Sequence, residues 1–74
     1  MKYRINLVWD AEAAVWIATS DDIPGLTLES GSFDALIERL RFAVPELLEL
    51  NGATKQPLYL TFMSERHEQV SCNG

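Results

Sequence analysis

The sequence predicts an α+β domain of two layers, in the order β-β-β-α-β, with an antiparallel sheet packed on one helix. Three observations predict it. Lys2 to Asp10 alternates in polarity with period two, as a half-buried strand does. Ser32 to Leu50 repeats apolar side chains at i, i+3 and i+4, as an amphipathic helix does. Further runs of β-forming residues are separated by turn formers on either side of that helix.

In the first strand, Tyr3, Ile5, Leu7 and Trp9 share one face, and Lys2, Arg4, Asn6 and Val8 the other. Ala11 to Ala13 makes a short connection, and Ala14 to Ser20 is the hairpin partner, rich in β-forming residues. Asp21 to Gly25 is a turn in which Pro24 fixes φ and Gly25 supplies a conformation other residues resist. Leu26 to Ser30 is a short third strand. Ser32 is placed to cap the helix, and Asp34 in the first turn suits the helix dipole.

Phe33, Leu36, Ile37, Leu40, Val44, Leu47 and Leu48 form the apolar stripe, and Asn51-Gly52 ends the helix. Pro45 lies inside it and is expected to kink the helix or split it near Phe42 to Val44. Ala53 to Gln56 reads as a loop and Pro57 to Met63 as the fourth strand. The domain is thus residues 1–63, followed by a polar tail, 64–74. One sheet face has no helix to cover it.

Composition bounds what such a domain does. Seventy-four residues allow one domain. Six basic against eleven acidic residues leave a net charge of −5, which argues against direct binding of nucleic acid. A core this small is commonly reinforced by disulfides, a metal or a second chain. Cys72 is the only cysteine and His67 the only histidine, so association is expected, as a homodimer or higher homo-oligomer. The absence of a long apolar run predicts a cytoplasmic protein with no membrane partner.

The run Asp22-Ile23-Pro24-Gly25, a short strand, then Ser32-Phe33-Asp34-Ala35-Leu36 opening a helix, resembles the HicB-like antitoxin family. Trp9-Asp10, Val15-Trp16, Asp22 to Leu26 and Pro45-Glu46-Leu47-Leu48 occur together in its short single-domain members, many of them without assigned function. The resemblance covers Met1 to Met63 and implies a partial ribonuclease-H-like fold that acts by binding. It implies, as a function, masking of a small basic mRNA-cleaving toxin. Full members add a C-terminal DNA-binding segment; the residues after the fourth strand are expected to be too few for one. The alternatives are a stand-alone interaction or regulatory protein and, remotely, a metal-dependent nuclease remnant.

No catalytic residue, metal ligand or cofactor is assigned. The candidate partner-binding residues are Trp16, Asp22, Pro24, Gly25 and Phe42. Trp16 is either core or, if it faces the uncovered side, an interface anchor. The Asp22 to Gly25 turn is either a stiff connection or a recognition loop. Phe42 lies off the apolar stripe, and is either an exposed contact or is buried by rotation of the helix at Pro45. Asp10, Asp21, Asp22 and Glu29 are read as solvated turn and strand carboxylates rather than a two-metal site.

Overall fold

A computed structural model describes residues 2–52 and 57–72. The loop expected at Ala53 to Gln56 lies outside the described residues. The observed elements are β1 (Lys2–Asp10), β2 (Val15–Thr19), β3 (Thr27–Ser30), α1 (Phe33–Leu50) and β4 (Tyr59–Glu65). They form one four-stranded sheet in the order β3-β2-β1-β4, with the helix on one face.

The first three strands are the expected antiparallel meander: β1 pairs with β2, and β2 with β3. The fourth corrects the expectation of a wholly antiparallel sheet. β4 runs parallel to β1, with Lys2 opposite Tyr59 and Val8 opposite Glu65. The reason is topological. Two hairpin reversals leave β3 pointing the same way as β1. A helix that returns across the sheet then delivers the next strand in that same direction. The sheet is therefore mixed. β4 also begins two residues later than predicted and runs on to Glu65, because β1 offers it pairing partners from Lys2 to Val8.

Local chemistry accounts for each joint. Asp10 accepts hydrogen bonds at its Oδ1 from the backbone N–H groups of Glu12 and Ala13, closing the β1–β2 connection. Ala14 completes that turn at φ 54°, a left-handed conformation costly for a residue with a Cβ. Ile23-Pro24-Gly25-Leu26 is a type II turn: the Leu26 N–H donates to the Ile23 carbonyl, and Gly25 has φ +84°. Ser32 caps α1 as expected, its hydroxyl accepting from the Ala35 N–H at 3.2 Å. Gly52, at φ +82°, donates its N–H to the Glu49 carbonyl and stops the helix.

Pro45 does not split α1, which runs unbroken from Phe33 to Leu50. Pro45 and Arg41 both lie on the exposed side, where water can serve the carbonyl that loses its donor. On the opposite side, Leu36, Leu40, Val44 and Leu48 are buried and hold the helix on the sheet. They pack with Tyr3, Ile5, Leu7, Ala18, Ile23 and Leu26, and no polar side chain is buried among the described residues. The helix lies over β2 and β3, so Leu60 and Phe62 of β4 are only half-buried.

Candidate partner-binding surface

Register decides which side chains reach which face. Trp9, Trp16, Ala18 and Leu28 share the helix side with Ile5 and Leu7. The uncovered side carries Lys2, Arg4, Asn6 and Val8 of β1, Ile17 and Thr19 of β2, Thr27 and Glu29 of β3, and Tyr59, Thr61, Met63 and Glu65 of β4. In one row, Glu29, Ile17, Val8 and Glu65 cross the whole sheet. Its apolar centre is thus flanked by a carboxylate on each outer strand. Met63, 49% exposed, adjoins this centre on β4.

At the end of the sheet where β1 begins, this face opens into a shallow concavity of about 650 Å³, lined among others by Lys2, Arg4, Asn6, Asp21, Asp22 and Met63. Its wall is built by side chains that replace a missing stretch of ladder. Asp22 Oδ2 accepts the Arg4 backbone N–H at 2.8 Å. The Ser20 hydroxyl donates to the Arg4 carbonyl and accepts from the Asp22 N–H. The Asp22 carboxylate therefore does for β1 what a further residue of β2 would have done. Ile23, fully buried, then plugs the core below. Asp22, Pro24 and Gly25 have backbone reasons for their places, and all three remain exposed at this end.

The predicted candidates are not brought together. Trp16 faces the helix side, where its ring meets Trp9 at 5.5 Å and Phe33 edge-on at 4.9 Å between centroids. The reading of Trp16 as an anchor on the uncovered face is corrected by this register. The Asp22 to Gly25 turn lies at the other end of β2. Phe42 is 69% exposed on the outer side of α1, opposite the core stripe, so burial by helix rotation is corrected as well.

One residue that the sequence reading passed over joins this picture. The Arg66 guanidinium stacks over the Trp9 ring at 4.1 Å and bonds the Glu68 carboxylate. Continuing the period-two alternation of β4 from Phe62 and Ser64 to residue 66 places Arg66 on the same face as Trp9. That parity was the available signal.

Among the described residues, no three His, Cys, Asp or Glu side chains gather as a metal site would need. No described helix is long and apolar enough to cross a membrane. Every buried side-chain nitrogen and oxygen described has a hydrogen-bond partner.

Comparison with known proteins agrees with this architecture. A search of proteins of curated function gives no match. A crystal structure of a hypothetical protein from the extremely thermophilic bacterium Thermus thermophilus is 39% identical, with a TM-score of 0.81. The similarity covers 95% of this chain and 100% of that one. The model of a family described as a domain of unknown function, DUF1902, matches residues 2–72. With nearly its whole length matched, the chain belongs to the DUF1902 family.

Proposed function

We propose that this chain is a non-enzymatic protein-binding module that covers a small basic protein, in the manner of the HicB-like antitoxins its sequence resembles. The observation that carries this reading is the uncovered sheet face, with Val8 and Ile17 at its centre and Glu29 and Glu65 at its two outer strands. Around that row the face offers apolar contact in the middle and attraction to positive charge at the two outer strands, while Lys2 and Arg4 lie at the opposite end of β1. The net charge of −5 supports it by drawing in a basic partner and repelling RNA. A toxin that cleaves mRNA must present basic side chains to phosphates. Carboxylates seated on those side chains would occupy the positions the RNA needs.

The first test is the gene neighbourhood, where the reading expects a short gene for a small basic protein; calorimetric titration against that product, together with rescue of growth it arrests, is the second. Saturable binding that Glu29→Lys with Glu65→Lys abolishes is the expected result. Absence of both heat and rescue would overturn the toxin-masking reading.

A second reading, a stand-alone interaction protein, draws on the exposed Phe42 on the far side of α1 from this face. It predicts that Phe42→Ser, rather than the charge reversals, abolishes partner capture.

A further inference from the structure

We infer that the outer edge of β4, with the segment 66–72 that continues it, is a self-pairing edge. A second copy of the chain adds to it antiparallel, joining two four-stranded sheets into one.

The edge itself is the first argument. β4 is an outer strand with β1 on one side only. It is seven residues long, and none of the seven is a proline. An exposed strand of that length presents a row of backbone donors and acceptors to any strand that fits. The helix leaves Leu60 and Phe62 half-covered, so a strand added here would also bury apolar surface.

The segment after it is the second argument. β1 stops pairing with β4 at Val8 opposite Glu65, yet the chain continues through residues 66–72, all exposed. The molecule is 57 Å long. A nine-residue strand such as β1 spans only about 30 Å, at roughly 3.3 Å per residue, so the tail projects well past the sheet. Arg66, held over Trp9 and bonded to Glu68, fixes where the projection starts. Val70, 81% exposed, is carried outward with nothing beneath it.

The occupant is a second copy because the segment is complementary to itself. A two-fold axis at Arg66 sets Phe62 opposite Val70 of the partner subunit, on the helix side of the sheet. It also sets Glu65 opposite His67 of the partner subunit, on the uncovered side. Each pair occurs twice by symmetry. Glu65 and His67 already bond each other within one chain at 2.9 Å, so the two groups suit one another. The arginines that meet on the axis are each drawn aside, onto Trp9 and Glu68 of their own chain. An unrelated strand has no reason to supply these two-fold matches. This inference shares Glu65 with the binding face proposed above, but the chain ended after Glu68 keeps that residue, so loss of self-pairing is read separately from loss of partner binding.

Sedimentation equilibrium of the full chain tests it, with a chain ended after Glu68 as the comparison. The shorter chain keeps β4, Arg66 and Glu68 but loses Val70. The expected result is twice the chain mass for the full protein and a monomer for the shorter one, with the same far-ultraviolet circular dichroism. The register is tested by placing Thr61→Cys and Ser71→Cys together in a Cys72→Ser background. These positions oppose each other across the axis, so mild oxidation is expected to give a covalent dimer, while either cysteine alone is not. A full chain that stays monomeric up to its solubility limit would overturn the proposal. So would a shorter chain that remains dimeric, or oxidation that links other registers equally well.

Discussion

The two edges of the sheet are built in opposite ways. β3 is four residues long, and its Glu29 carbonyl accepts a hydrogen bond from the Arg39 guanidinium of α1 at 3.0 Å. The turn before it roots Ile23 and Leu26 in the core, and the helix lies over it. β4 is seven residues long, with Tyr59 and Met63 exposed, and its chain runs on past the sheet. One edge is closed by the molecule's own helix and turn, and the other is left open. Short edge strands and covered edges are the usual protections against unwanted pairing. Their concentration at β3 separates a protected edge from an exposed one.

The largest effect that tests this contrast is in the core beneath β3. Ile23 is fully buried, whereas Met63 on β4 is about half exposed. Ile23→Ala is expected to lower unfolding free energy by about 3 kcal/mol, through lost burial and the cavity left behind. Met63→Ala is expected to change monomer stability by less than about 0.5 kcal/mol. Urea denaturation of both variants, in a background shown to be monomeric, checks the difference. Equal losses would mean that the two edges contribute alike.

The next effects, each about 1 kcal/mol, concern the turn leading into β3. Asp22→Ala removes the acceptor for the Arg4 N–H, a hydrogen bond typically worth about 1 kcal/mol. Asp22→Asn keeps a side-chain oxygen there and should recover most of the loss. If Asp22 serves only a partner, thermal melts of the free protein will show no loss for either variant. At Gly25 a Cβ would meet nothing within 4 Å, so Gly25→Ala isolates the backbone cost of φ +84°. That cost is about 1 kcal/mol, and the same melts measure it.

Much of this contrast was legible in the residues. Pro24 before Gly25 specified the type II turn, Ser32 the cap, and the spacing of Leu36, Leu40, Val44 and Leu48 the buried stripe. Strand alternation is local, so the uncovered face and its carboxylates could be read from parity once pairing was known. The pairing was not local. The placement of β4 beside β1, parallel to it, depends on where the helix sets the chain down, which no short window encodes. The orientation of Trp16 also hung on register, since a one-residue slip in the hairpin would have turned it to the other face. Asp22 looked like a turn carboxylate of the ordinary kind. Its bond to Arg4 spans 18 positions and was visible only in the fold.

The smallest expected effect is the most specific to the edges. Arg39 and Arg66 each sit at one border of the sheet, yet they do different things. Arg39 reaches from α1 to a backbone carbonyl of β3, while Arg66 stacks on Trp9 and aligns the outgoing chain. Arg39→Met keeps the aliphatic stem and removes the donor. It is expected to cost about 0.5 kcal/mol, the low end for one exposed hydrogen bond. Arg66→Met loses an exposed cation–aromatic contact worth up to about 1 kcal/mol, and should also weaken self-association by loosening the segment after β4. Arg39→Met should leave the self-pairing proposed for β4 unchanged and instead raise slow aggregation, because it uncaps the edge that the fold keeps closed. Light scattering during storage of the two variants distinguishes these outcomes. If Arg39→Met stores as well as the parent, the shortness of β3 alone protects that edge, and the arginine is a minor brace.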